Sequence, residues 1–304
     1  VYFVACGGSL GAFYAANYFL QREAVTLRSA AVNSNEFVHE APPALDERAV
    51  VVVCSHGGDT PETVKAAELA KKRGAAVIGM TYTPGSPLTQ FCDYVTDYKF
   101  RTDLEADFSR DKALVPVTIA AELLQQTEGF YAYEQFQDGR KKIDGIVRKA
   151  QEQVKDRALH FAETYKDDKI IYTMGSGASY GAAYIQSICI YMEMQWVNSS
   201  SIHTGEYFHG PFEITDRNIP FLIQMSEGRT RELDERALRF LKKYAARYEV
   251  VDAKELGLST IDATVVDYFN QSLVTCVYDV YNAAFAEARK HPLSVRRYMW
   301  KVQY

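Results

Sequence analysis

The stretch VYFVACGGSLGAFY at residues 1–14 lies without a gap over IYTMGSGASYGAAY at 171–184, and six of these fourteen positions are identical. They are Tyr2/Tyr172, Gly7/Gly177, Ser9/Ser179, Gly11/Gly181, Ala12/Ala182 and Tyr14/Tyr184. The same offset of 170 pairs Glu36 with Glu206, His39 with His209, Gly58 with Gly228, Thr60 with Thr230 and Glu62 with Glu232. Solenoid repeats run to about 20–50 residues, so a period this long predicts a duplicated domain. A chain of 304 residues has room for two domains of about 150 each.

Each copy alternates strands and helices. VYFVAC and AVVVVCS (49–55) are continuous apolar runs, the pattern of strands buried on both faces of a parallel sheet. SLGAFYAANYFLQRE reads as a helix. TPETVKAAELAKKRG opens with Thr60 as N-cap and Pro61 in the first turn and stops at Gly74, before the strand AAVIGMTY (75–82). The second copy repeats the order in IIYTMG, GAAYIQSICIYMEMQW, PFLIQMS, RELDERALRFLKKYAARY and EVVDA. The predicted fold is α/β, with two doubly wound parallel-sheet domains. The expected boundaries are a first domain over 1–125, a helical linker over 126–165, a second domain over 166–257, and a C-terminal helix and tail over 258–304. Residues 112–165 read as helical throughout, and 262–290 as one long helix.

Composition narrows the function classes. A net charge of −5 leaves no electrostatic footprint for nucleic acid, and no apolar run reaches the roughly 18–20 residues of a membrane span. The five cysteines (Cys6, Cys54, Cys92, Cys189, Cys276) are odd in number and scattered through apolar runs, as in reduced cytoplasmic proteins. With neither CxxC nor HExxH spacing, no metal site is expected. Val1 falls inside a strand-like run, so the sequence is expected to start short of a natural N-terminus.

Ligands of open α/β sheets bind at the carboxyl ends of the strands, where helix N-termini present N–H groups to anions. Two loops of the first copy suit a phosphate. In CGGS, Gly7 and Gly8 allow close backbone approach and Ser9 adds a hydroxyl. In SHGGDT, Ser55, His56, Gly57 and Thr60 surround a helix start. Glycine turns after strands are also common packing devices, and neither loop fits the Walker A or dinucleotide fingerprints. Two such loops at one sheet edge favour a phosphate cradle.

Between residues 170 and 205 the only Asp, Glu, Lys or Arg is Glu193, in SICIYMEMQWV. A carboxylate on so apolar a helix is expected to be buried, costly unless paired, and shifted by desolvation toward the range of a general base. The alternative is a solvent-facing position near the helix end. His209 follows, in TGEYFHGPFEIT. A lone histidine is more often structural, yet acid–base chemistry near neutral pH needs what imidazole offers. His39 in the first copy lacks the Gly-Pro that follows His209, so the copies look diverged, one toward anion binding and one toward chemistry.

Through VACGGS, SHGGDTPET, IQSICIYMEMQW, GEYFHGPFEI and RRYMWKVQY the chain resembles, over its whole length, the double sugar-isomerase (SIS) domain family of phosphosugar isomerases. It is similar to the isomerase half of glucosamine-6-phosphate synthase and closer to the fructosamine-6-phosphate deglycases. The resemblance implies that Glu193 is the base and His209 the acid–base histidine, reaching into a neighbouring subunit's site in a homodimer or higher homo-oligomer. It implies phosphate binding at Gly7–Ser9 and Ser55–Thr60, a substrate-engaging role for Lys301 in a tail crossing the site, and a hydrogen-bonding support in Glu206. The synthase's second loop is richer in hydroxyls, which here shifts expected phosphate contacts to backbone amides and His56.

The implied reaction is hydrolysis of a fructosamine 6-phosphate to glucose 6-phosphate and a free amino acid, with no metal or organic cofactor. No glutamine-hydrolysing domain is found ahead of the pair, which disfavours amination. An aldose–ketose phosphosugar isomerase and a non-catalytic sugar-phosphate sensor are the alternatives; no DNA-binding helix-turn-helix supports the sensor. Arg296, Arg297 and Lys301 are candidates to read an acidic substrate side chain or to neutralise phosphate.

Overall fold

The two valine-rich runs near the N-terminus lie side by side in one parallel sheet, as their two-sided burial demands. A computed structural model describes residues 1–100, 105 and 107–303. The chain divides into two compact units, Val1–Glu134 and Gln135–Tyr304.

In the first unit the order is β1 (Tyr2–Ala5), α1 (Gly7–Ala12), α2 (Tyr14–Glu23), β2 (Ala30–Asn33), α3 (Ser34–His39), β3 (Val50–Cys54), α4 (Pro61–Lys72), β4 (Ala76–Met80), β5 (Tyr94–Thr96) and α5 (Leu114–Thr127). The five parallel strands run β2-β1-β3-β4-β5. This is a doubly wound order whose topological switch falls between β1 and β3. Val4, Val51, Val53 and Val77 pack against Ala66, Ala67 and Ala70 of α4. The small alanines let that helix lie close on the sheet, and each fully buried valine contributes about 1.5–3 kcal/mol. The predicted helix SLGAFYAANYFLQRE is two helices that meet at buried Phe13, whose ring lies 5.4 Å from that of Phe3.

The second unit contains α6 (Tyr133–Gln153), which begins at the boundary, then α7 (Lys155–Tyr165), β6 (Tyr172–Gly175), α8 (Tyr180–Ile185), a π-helix (Gln186–Met194), β7 (Ser201–His203), β8 (Phe221–Met225), α9 (Arg231–Tyr244), β9 (Tyr248–Asp252) and α10 (Asn270–Ala288). Its four parallel strands run β7-β6-β8-β9, the same winding.

The duplication holds down to the register. Phe3 pairs with Ala31 as Thr173 pairs with Ser201, and Tyr2 pairs with Val51 as Tyr172 pairs with Phe221. The offset slips by one residue at the last shared strand, where Val51 faces Val77 but Phe221 faces Tyr248. Gly7 and Gly177 keep the same left-handed backbone, with φ of 54° and 52°.

The edge strands β2 and β7 lie outside the strands that the sequence predicts, because AAVN and SIH are short and mixed in polarity. Two expectations need correction. The helical run over 112–165 is broken at Gly129 and again at Val154. The long C-terminal helix starts at Asn270 rather than 262, because the Asp262 carboxylate accepts from the Thr264 amide and hydroxyl at 2.9 and 2.6 Å, closing a turn that competes with helix. The linker helix α6 packs within the second unit, where the Gln151 amide donates to the Cys276 carbonyl at 2.8 Å.

Candidate active site

The first unit gathers both glycine loops at its switch point. CGGS follows β1 and turns directly into α1, and SHGGDT follows β3 and leads into α4. Ser9 is buried, and its Oγ accepts from the Lys112 ammonium at 3.0 Å. Ser55 is buried, with Oγ 2.8 Å from Thr60 Oγ1. Thr60 thus holds the N-cap position as expected, but its hydroxyl faces Ser55 and makes no cap bond to α4. Gly7 and Gly8 form the first turn of α1, and Gly57 sits in the second loop.

His56 is more committed than the sequence suggests. Its Nδ1 lies 3.0 Å from the Tyr98 hydroxyl, and its ring stacks on Tyr82 at 5.1 Å and meets Phe100 at 4.2 Å. Burial pushes the Tyr98 phenol well above its ordinary range, so this hydroxyl stays protonated.

The matching place in the second unit is filled by the protein itself. A Cβ on Gly177 would fall 2.5 Å from Thr230 Oγ1, and one on Gly228 2.5 Å from the Asp267 carboxylate. That carboxylate accepts from the Arg229 amide at 3.0 Å, in the manner of a bound anion. At Gly7, by contrast, an added Cβ would meet no described atom within 4 Å. The two copies have diverged at the first glycine, whereas Gly58, the counterpart of Gly228, is just as crowded, an added Cβ there falling 1.8 Å from Ser86 Oγ.

Glu193 lies on the π-helix, where the Gln195 amide donates to the Ile190 carbonyl five residues back at 2.9 Å. Such wide turns are rare and frequent at functional sites. The helix ends at Met194, and two residues on, Trp196 has φ of 55°, a costly conformation for a bulky side chain. Glu193 is neither stranded in oil nor turned fully to solvent. Its side chain is 22% exposed, and Oε1 accepts from Arg296 Nε at 2.9 Å and forms an ion pair with Nη2 at 2.9 Å, with Arg296 itself only 8% exposed. A cavity of about 400 Å³ opens on this pair, lined also by Trp196, Arg297 and Tyr298. The Arg297 guanidinium lies over the Trp196 ring at 4.3 Å.

His209 is not a core residue. It is exposed on the turn after β7, where its amide donates to the Glu206 carbonyl at 2.9 Å. The turn is anchored by buried Tyr207, whose hydroxyl bonds Thr215, and by Phe208, held between Phe212, Phe240 and the Arg236 guanidinium. Glu206 supports the histidine through its backbone, and its own side chain is exposed. His209 does not line the Glu193 cavity. Lys301 donates to the Arg296 carbonyl at 2.6 Å and so braces the tail behind the arginine. Among the described residues, no group of three His, Cys, Asp or Glu could hold a metal ion.

Residues 1–106 match the SIS domain family model. Over all 304 residues the chain is 44% identical to the fructosamine deglycase FrlB of Bacillus subtilis (strain 168), covering 92% of that protein. The chain belongs to the fructosamine deglycase family of SIS-domain proteins. Within that family it is also 27% identical to the fructoselysine 6-phosphate deglycase of Escherichia coli (strain K12), over 84% of this chain and 74% of the other. A crystal structure from Salmonella typhimurium LT2, described as a phosphosugar isomerase, superposes with a TM-score of 0.96 at 47% identity, covering 100% of this chain and 93% of that one.

Two contacts, one in each unit, escaped the sequence reading. Lys112 stands 103 residues from Ser9, in a stretch with no local pattern to mark it. The guanidinium on Glu193 comes from a residue equally remote, which the sequence suggested as a reader of an acidic substrate side chain or a neutraliser of phosphate.

Proposed function

We propose that the protein is a fructosamine-6-phosphate deglycase, hydrolysing a phosphorylated fructose–amino acid to glucose 6-phosphate and a free amino acid. The full-length 44% identity to a fructosamine deglycase carries this reading. The loops Gly7–Ser9 and Ser55–Thr60 hold the phosphate, with Lys112 as their cation. Glu193 takes the C1 proton of the open-chain ketoamine, giving an enaminol that is reprotonated at C2. Water adds to the resulting aldimine, the C1–N bond breaks, and the amine leaves with a proton. His209 moves protons among the sugar oxygens during ring opening, and Lys301 engages the open-chain sugar. Remote phosphate binding supplies orientation at the reacting carbons. This chemistry needs acid–base groups alone.

The exposure of His209 on an anchored turn supports a homodimer or higher assembly in which the imidazole serves a neighbouring subunit's site. Five free thiols, and no described helix long and apolar enough to cross a membrane, fit a cytoplasmic protein. In the deciding experiment, purified Glu193→Gln loses at least 10²-fold in glucose 6-phosphate release while still binding substrate. Near-normal turnover in that variant overturns the assignment of the base. Release of free amine separates deglycation from simple aldose–ketose isomerisation.

A further inference from the structure

We propose that Arg296 is the receptor for the α-carboxylate of the substrate's amino-acid part, and that this carboxylate frees Glu193 by taking its place on the guanidinium. The proposal rests on the deglycase reading and concerns how that site recognises its substrate.

The chemistry of the substrate sets the geometry. In a fructose–amino acid glycated on its α-amine the nitrogen is bonded to C1, the carbon whose proton the base removes, and the α-carboxylate is only two bonds beyond that nitrogen. Whatever group reads this carboxylate must stand beside the base. The Arg296 guanidinium stands there, with two nitrogens at 2.9 Å from Glu193 Oε1. It opens on the same cavity as Glu193. A planar fork of this kind matches a carboxylate with two parallel hydrogen bonds, whereas on Glu193 the one hydrogen bond, from Nε, and the Nη2 contact fall on the same oxygen.

The exchange also balances charge. A base held by a guanidinium is poorly placed to take a carbon-bound proton, and pulling a buried arginine away from its anion would be costly. Replacing one carboxylate by another keeps the arginine paired throughout. Arg296 is also the fixed partner. Its Nη1 donates to the Leu293 and Val295 carbonyls at 2.7 and 3.0 Å, and its own carbonyl is held by Lys301. Glu193, on the last turn of the π-helix, is the group that swings. Arg297, over Trp196 at the same cavity, adds a second positive charge that favours an anionic guest.

The test compares two substrates that differ only in this group, the 6-phosphates of fructose-glycine and of fructose-methylamine. The wild-type protein is expected to favour the glycine adduct in kcat/KM by about 10²-fold or more. In Arg296→Met that ratio should collapse at least tenfold, and Arg296→Lys should restore part of it. Equal use of the two substrates by the wild type overturns the proposal without any variant being needed. So does an Arg296→Met protein in which both rates fall together and the ratio is kept, the result expected of a purely structural fastener. Absence of turnover on either adduct removes the deglycase reading instead. Calorimetric titration of the wild type with both adducts then decides, and equal affinities overturn the carboxylate receptor.

Discussion

The Lys112 ammonium donates to Ser9 Oγ at 3.0 Å, bringing a positive charge to the loop after the first strand. The same ammonium lies 5.3 Å from the Tyr98 ring, which bonds His56 of the second loop. One cation is thereby tied to both glycine loops. Lys112→Met should weaken binding of inorganic phosphate about tenfold, in line with the loss of one charge-assisted hydrogen bond. In kinetics the effect should fall on KM more than on kcat, and an unchanged phosphate affinity by calorimetry would remove Lys112 from the cradle.

His209 is exposed, and the turn carrying it is anchored by Tyr207 and Phe208. Its replacement should therefore leave the fold alone. His209→Asn is expected to change unfolding free energy by less than about 0.5 kcal/mol. Its turnover should fall by about 10²–10⁴-fold, the usual worth of a positioned acid–base group. A stability loss that matches the activity loss would mark the imidazole as structural.

The glycines of the two loops differ in what a side chain would meet. At Gly58, with φ of 69°, a Cβ would fall 1.8 Å from Ser86 Oγ and 2.9 Å from Thr81 Oγ1. At Gly7, with φ of 54°, the backbone strain remains but no described atom lies within 4 Å. Gly7→Ala should cost about 1–2 kcal/mol, the left-handed strain alone, and Gly58→Ala clearly more. Equal shifts of the two denaturation midpoints would contradict this reading.

His203 begins the turn that carries His209, and its Nδ1 accepts from the Gly205 amide at 3.1 Å. Burial lowers its pKa below the ordinary 6.5, outweighing the nearby Asp234 and Glu206 carboxylates, which raise it. Below that value the unfolded chain takes up the proton more readily than the folded one. Stability is therefore complete above pH 6.5 and is lost as the pH falls through the depressed folded pKa. His203→Gln should flatten the fall in denaturation midpoint between pH 7.5 and about 5.5. His291, also lowered by burial, supplies a residual slope of the same sign. A variant with the full wild-type slope would exclude His203 as a source.

Much of the fold was legible because it rests on local pattern. Runs such as VVVVC and FLIQM announce strands buried on both faces, and Thr60-Pro61 marks the helix start where α4 begins. The repeat at an offset of 170 carried the strand register of one copy onto the other. Short edge strands such as SIH bury one residue in three positions and leave no period to detect.

The sequence by itself determined the duplication, the parallel winding and the residues at the two glycine loops, because periodicity and glycine placement act within a few residues. Tertiary structure alone decided which charge meets which. It put Lys112 on Ser9 and Arg296 on Glu193, each across 103 residues, and set the Asp267 carboxylate on the Arg229 amide of the second copy's loop. A burial pattern tells a side chain which way to face, but only the path of the whole chain chooses the partner it finds there.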